Sequence, residues 1–194
     1  MAGTLRKWLV SVALTGGAAS ACTEPALRGI AIDPPRAAPA LAVTRDDGTA
    51  FDLARERGKV VLLFFGYTHC PDVCPTTLAD WSKVRRALGA DSARVRFVFV
   101  SVDPARDTPQ LAQQYAAQFH ASFIGLSPDT LDLPAIQYAF GVTSARETGT
   151  SATGYLVSHA SQSFLVAPDG ALRVMYSFGA RVDDIVADVR QVLR

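Results

Sequence analysis

KVVLLFFGYTHCPDVCPTTLADWSKVRRAL, residues 59–88, is the stretch that decides the fold of this chain of 194 residues. It begins with an apolar run over 59–66, which is typical of a central strand buried on both faces. Residues 77–88 place four apolar side chains on one helical face, and Gly89 follows as a stop signal. Those side chains are Leu78, Trp81, Val84 and Leu88. The stretch therefore predicts a strand, a loop with two cysteines, and a helix.

The flanking sequence extends this unit into an α/β domain. Residues 43–53 contain the turn signal Asp46-Asp47-Gly48 and predict an N-terminal hairpin. Residues 143–154 are rich in Ser, Thr and Gly and predict an exposed loop inserted before the late strand pair. Further strands are predicted over 96–102, 123–126, 155–166 and 171–178, and further helices over 109–119, 131–140 and 183–193. This order predicts a thioredoxin-like fold with a mixed central sheet flanked by helices.

The first 22 residues have the layout of a secretory signal. A basic start at Arg6 and Lys7 precedes an apolar run, and small residues lead to Cys22. The run is shorter than the roughly 20 residues that span a bilayer. Ala19-Ser20-Ala21 also satisfies the rule for ordinary signal cleavage. We favour lipidation of Cys22, because an unpaired thiol is a liability in an oxidising compartment.

The signal predicts an exported protein, lipid-anchored at Cys22 to the periplasmic face of a bacterial membrane. Residues 23–40 are rich in Pro and Ala and predict an extended tether. The remainder, residues 41–194, has the size of one domain. The formal net charge is +1, so the composition offers no electrostatic case for a nucleic-acid partner.

The chemistry of the domain depends on few residues, since the chain has three cysteines and three histidines. The cysteine loop follows a buried strand, and sites in open sheets form at the carboxyl ends of strands. With Asp72 as N-cap, Cys74 falls in the first turn, where unpaired amides and the helix dipole favour a thiolate. Cys70 is close enough along the chain for both sulfurs to bind one ion or to form a disulfide.

The ligand types favour copper over other metals. Two thiolates select Cu(I), zinc or an iron–sulfur cluster. Zinc and clusters usually need four protein ligands, and only two thiolates remain once Cys22 is acylated. A copper site of two sulfurs and one imidazole needs the fewest residues. The alternative is a structural disulfide, which would close a small loop and stabilise little.

Three histidines compete for the third position. His69 adjoins Cys70, but neighbouring residues in an extended loop tend to point apart. His120 follows a helix and suits a solvated surface position. His159 lies after the loop 143–154, which could carry it over the sulfurs. We favour His159 and keep His69 and His120 as alternatives.

Four parts of the sequence match a known family: Gly66-Tyr67-Thr68-His69-Cys70-Pro71-Asp72-Val73-Cys74-Pro75, Ser101-Val102-Asp103-Pro104-Ala105-Arg106-Asp107-Thr108-Pro109, His159, and Pro168-Asp169-Gly170. With these segments the sequence resembles the Sco/SenC family, copper proteins that help to assemble cytochrome c oxidase, over about 41–194. The resemblance implies that Cys70, Cys74 and His159 bind Cu(I) or Cu(II). It also implies that the copper-bearing subunit of the oxidase is a partner, together with other periplasmic copper chaperones or thiol reductants.

One position departs from the family pattern. The family commonly has an acidic residue before the histidine, and this chain has Ser158. A ligating imidazole usually donates its other N–H to an acceptor in the surrounding protein. Ser158 or Asp103 is expected to accept it. Asp107 and Thr108 are expected to cap the following helix.

We expect a metallochaperone for oxidase assembly rather than an enzyme. The alternative is a thiol–disulfide oxidoreductase, which needs one exposed thiolate and a resolving partner. The Cys-x-x-x-Cys spacing speaks against it, because thioredoxins use Cys-x-x-Cys. A peroxide-reducing enzyme with a single activated cysteine is a third possibility.

Overall fold

The computed structural model describes residues 25–148 and 154–194. A six-stranded mixed sheet forms the centre of the domain and confirms the predicted thioredoxin-like architecture. Along the chain its strands are β1 (Ile30–Ala37), β4 (Val60–Gly66), β5 (Val95–Ser101), β6 (Ile124–Leu126), β9 (Ser163–Val166) and β10 (Ala171–Tyr176), and their spatial order is β1-β10-β9-β4-β5-β6. Two separate hairpins are β2 (Ala42–Thr44) with β3 (Ala50–Asp52) and β7 (Ser144–Arg146) with β8 (Val157–His159). The helices are α1 (Val73–Leu88), α2 (Pro109–Phe119), α3 (Leu133–Phe140) and α4 (Val182–Val192).

Strand β4 lies at the centre of the hydrophobic core. Each of its residues is buried, as the continuous apolar run predicts. It pairs parallel with β5 and antiparallel with β9, so it is hydrogen-bonded on both sides. Its carboxyl end, Gly66, lies beside Ser101 at the end of β5. The cysteine loop leaves the sheet at this point, where two parallel strands end together.

The prediction of an extended tether over 23–40 is wrong for residues 30–37. They form β1, which pairs antiparallel with β10 at the edge of the central sheet. The buried carboxylate of Asp188 in α4 accepts hydrogen bonds from the backbone N–H of Arg28 at 2.7 Å and of Gly29 at 2.9 Å. The Tyr176 hydroxyl donates to the same carboxylate at 3.0 Å. Residues 28–37 therefore belong to the folded domain.

The predicted strand over 155–166 is two strands. Residues Val157–His159 pair with β7, which lies inside the segment predicted as a loop, and Ser163–Val166 pair with β4 and β10. The sequence predicts a single strand here because both halves are β-prone, and it does not show which neighbouring strand each half pairs with. The break places His159 on a two-stranded hairpin outside the central sheet.

The N-terminal predictions concern a part of the chain that the structure does not describe. The signal segment and Cys22 lie outside the described residues. Among the helices of residues 25–148 and 154–194, none is long and apolar enough to cross a membrane.

Candidate metal centre

The two sulfurs are set by the loop between β4 and α1. Helix α1 begins at Val73, so Cys74 lies in its first turn, as predicted. The Cys74 N–H donates to Cys70 Sγ at 3.4 Å, which brings the two thiols together as free cysteines. Cys74 is completely buried and Cys70 is partly exposed.

Gly66 makes room for the buried sulfur. A Cβ at this position would lie 2.6 Å from Cys74 Sγ and 3.0 Å from the rings of Phe64 and Phe99. Glycine is therefore the residue that lets the strand pass so close to the thiol. The sequence carries a signal for this role, because a glycine closes the apolar run.

Asp107 holds the cysteine loop and was missed as a site residue. Its buried carboxylate accepts hydrogen bonds from the Thr68 N–H at 2.9 Å and the Thr68 hydroxyl at 2.6 Å. It also accepts from the Ser101 hydroxyl at 2.6 Å. Thr108 provides the expected helix cap by accepting from the Leu111 N–H. The prediction that Asp107 is a cap is wrong, because its carboxylate points back to the loop that precedes Cys70.

The His159 imidazole meets both sulfurs. Its Nε2 lies 3.5 Å from Cys74 Sγ and 3.9 Å from Cys70 Sγ. One ligand atom from each of the three residues falls within 4.8 Å of the others. The ring stands edge-on to Tyr67 and Phe64, with ring centroids at 5.6 and 6.0 Å. The structure thus brings together the three residues that the sequence singled out.

The other two histidines lie outside this cluster. His69 Nδ1 hydrogen-bonds the Thr68 hydroxyl at 3.0 Å and lies 3.7 Å from the Asp107 carboxylate. His120 Nδ1 accepts from the Ser122 N–H at 3.0 Å. Within the described residues, the group that can hold a metal ion consists of Cys70, Cys74 and His159.

The expected acceptor of the imidazole N–H is neither Ser158 nor Asp103. His159 Nδ1 instead donates to the Ala160 carbonyl at 2.9 Å. The Ser158 hydroxyl donates to the Ala145 carbonyl, and Asp103 accepts from Arg106 and Tyr155. A backbone carbonyl therefore fixes Nε2 as the nitrogen that faces the sulfurs. No sequence signal could have shown this, because every residue carries a carbonyl.

The electrostatics of the two cysteines differ from the expectation of a stabilised Cys74 thiolate. Hydrogen bonds from Cys74, from His159 and from backbone N–H groups lower the pKa of Cys70 to about 4, although partial burial opposes them. Burial raises the pKa of Cys74, and its hydrogen bond to Cys70 raises it further. The expectation that Cys74 carries the thiolate is wrong for the metal-free protein, because desolvation outweighs the helix terminus.

The Cys70 thiolate also affects the pKa of His159. Burial lowers the pKa of His159, but hydrogen bonds with Cys70 and with the backbone outweigh burial and raise the pKa overall. A protonated Nε2 can donate to the Cys70 thiolate, and a neutral Nε2 can coordinate a metal ion. Metal binding would therefore release protons.

We predict that iodoacetamide alkylates Cys70 of the reduced, metal-free protein at a rate that does not change between pH 6 and 8. The thiol is already ionised there, since its pKa is about 4. An ordinary thiol, with a pKa of about 8.5, would react about tenfold faster for each pH unit over this range. Peptide mapping should place the label on Cys70, because Cys74 is buried. A rate that rises steeply toward pH 8 would contradict the assignment.

Comparison with known proteins identifies the family of this chain. Residues 32–194 match the family model described as SCO1/SenC. A candidate copper-binding protein of Stutzerimonas stutzeri is 34% identical over 202 residues, covering 98% of this chain and 96% of that protein. Apo Sco1 of Thermus thermophilus has a TM-score of 0.76 at 37% identity, covering 85% of this chain and 96% of that one. Bradyrhizobium japonicum ScoI with copper bound has a TM-score of 0.73 at 32% identity, covering 81% and 99%. The chain therefore belongs to the SCO1/SenC family.

Proposed function

We propose that the protein is a copper chaperone that delivers copper to the binuclear copper site of cytochrome c oxidase. Copper is its cargo, held by Cys70, Cys74 and His159. The observation that carries the proposal is the convergence of two sulfurs and one imidazole nitrogen within 4.8 Å. The copper-bound structure of the related Bradyrhizobium japonicum ScoI supports the choice of metal.

The donor set fits copper as a transferable ion. Thiolate sulfur and imidazole nitrogen are ligands that copper prefers, and a structural zinc site would usually have four protein ligands. Three protein ligands leave the ion open to a fourth from an acceptor protein. The acceptor can then take the ion by stepwise exchange, in which each new bond forms before the next one breaks.

The test uses the reduced full-length chain in detergent. We expect it to bind one equivalent of Cu(I) in competition with bathocuproine disulfonate. We also expect it to pass that ion to the purified, copper-free copper-bearing domain of an oxidase subunit. Absence of stoichiometric binding, or a loaded protein that never transfers copper, would contradict the proposal.

A second function is favoured by the contrast between the two cysteines. Cys70 is partly exposed with a lowered pKa, and buried Cys74 lies beside it. In a thiol–disulfide oxidoreductase, the Cys70 thiolate attacks a substrate disulfide and forms a mixed disulfide. Cys74 then loses its proton and attacks Cys70 Sγ, which releases the substrate dithiol and leaves a Cys70–Cys74 disulfide. Rapid reduction of insulin by the copper-free protein would favour this function.

We propose the membrane-anchored location together with the chaperone function. The support is the signal layout of residues 1–22 and the position of Cys22, one of an odd number of cysteines, at its end. An exported protein would also need a periplasmic thiol reductant as a partner, because a Cys70–Cys74 disulfide would prevent copper loading. Mature protein should partition into detergent, and a soluble, unacylated protein beginning at Cys22 would contradict the anchor.

A further inference from the structure

The three candidate ligands belong to two different parts of the fold. Cys70 and Cys74 belong to the loop and first turn of α1, where Cys74 is part of the hydrophobic core and Cys70 packs against it. His159 ends a three-residue strand whose hairpin lies outside that sheet. The position of the imidazole over the sulfurs therefore depends on how the hairpin is attached to the domain.

Tyr155 provides that attachment. Its hydroxyl donates to Asp103 Oδ1 at 2.7 Å, and the Arg106 guanidinium donates to its carbonyl at 2.9 Å. Arg106 Nε also donates to Asp103 Oδ2 at 2.6 Å. The two residues that hydrogen-bond Tyr155 are therefore bonded to each other. Asp103 is 5% exposed, and hydrogen bonds to such a buried carboxylate are strong.

The Tyr155 ring also stacks against two arginine side chains. The Arg106 guanidinium carbon lies 3.6 Å from the ring centroid, and that of Arg146 lies 3.7 Å from it. Both guanidinium groups therefore lie in direct contact with the ring. Arg106 follows β5, whereas Arg146 belongs to β7. The stack therefore joins the hairpin to the loop that follows the central strand β5.

The segment from Tyr155 to His159 connects this attachment to the metal centre. Residues 155, 157 and 159 alternate along an extended segment, so their side chains share one face. Val157 is buried on this face, and its backbone N–H faces the hydroxyl of Tyr67. His159 comes next on this face and meets the sulfurs.

We propose that Asp103 and Arg106 form a docking site for Tyr155, and that this contact positions His159 over Cys70 and Cys74. Tyr155 is then a positioning residue, which acts on copper through the imidazole. The copper part of this inference rests on the proposed function. The docking part does not, and it can be tested without metal.

The first test uses Tyr155→Phe in the metal-free full-length chain. This variant keeps the stacked ring and loses only the hydroxyl that donates to Asp103. We expect the Val157 amide to exchange with solvent about tenfold faster or more, as expected for losing a hydrogen bond to a charged group. The His159 ring resonances should shift toward solvent-exposed values, because the ring leaves Tyr67 and Phe64. Amides of β4 should keep their protection.

Tyr138→Phe is the matched control, since Tyr138 is 90% exposed on α3. It should change neither the Val157 exchange nor the His159 resonances. Unchanged exchange and resonances in Tyr155→Phe would overturn the proposal. Faster exchange at β4 as well would also overturn it, because the hydroxyl would then stabilise the whole domain rather than position the hairpin.

The second test is a double-mutant cycle on Cu(I) affinity. Tyr155→Phe should weaken binding about tenfold, the lower value for losing a group that orients a metal ligand. In the His159→Ala background the same substitution should have no further effect. An equal loss in both backgrounds would overturn the positioning role. A wild-type chain that binds no copper would instead refute the proposed function, and the metal-free test would still decide whether Tyr155 docks the hairpin.

Discussion

Cys70→Ser is expected to lower the affinity for Cu(I) by more than about 100-fold, because losing a ligand must cost more than losing a group that orients one. Serine has nearly the size of cysteine but replaces a soft sulfur with a hard oxygen, which Cu(I) binds poorly. Cys70 is partly exposed, so the fold should tolerate the change. Competition with bathocuproine disulfonate measures the affinity, and thermal unfolding of the metal-free variant checks the fold.

His69→Ala is the control for this prediction. His69 is the immediate neighbour of Cys70, and its ring contacts Thr68 and Asp107 instead of the sulfurs. Its loss should change the affinity by less than about tenfold, the lower value for an orienting group. If His69→Ala weakened binding as much as Cys70→Ser, the metal centre would include a different imidazole. If Cys70→Ser bound Cu(I) normally, the centre would lie elsewhere.

The parts of the fold that the sequence predicted are those in which local pattern and tertiary environment agree. The apolar run of β4 is buried on both faces, and the predicted apolar face of α1 is buried from Leu78 to Leu88. The cysteine spacing and its place between these elements were also visible. These features need no information from distant parts of the chain.

The supports of the metal centre could not be predicted in the same way. Asp107 reaches back 39 positions to Thr68, and Tyr155 reaches 52 positions to Asp103. Both contacts depend on how the elements pack, which the sequence does not display. The raised pKa of Cys74, where a stabilised thiolate was expected, has the same origin. The helix terminus is a local feature, whereas the burial of Cys74 is a property of the folded core.

Strand β1 shows the same limit at the N-terminus. Its sequence contains Pro34 and Pro35, which correctly argue against a central strand. An edge strand tolerates proline, because one side of it needs no hydrogen-bond donors. The residue that fixes the start of this edge is Asp188, which lies 160 positions after Arg28. Composition alone could not separate a tether from an edge strand held in this way.

Asp188→Ala should lower the free energy of unfolding by about 3–5 kcal/mol, because it removes a buried carboxylate that accepts from two backbone amides and a tyrosine hydroxyl. Urea unfolding measures the loss, and hydrogen exchange should show β1 detaching from β10 first.

Asp183→Ala on the same helix is the matched control, since that carboxylate is 84% exposed and should contribute less than about 1 kcal/mol. Copper affinity should survive Asp188→Ala under conditions where the variant is folded, because β10 and β9 separate β1 from β4 and its cysteine loop. If Asp188→Ala unfolded like Asp183→Ala, the edge strand would not depend on this carboxylate, and its pairing with β10 alone would have to hold it in the sheet.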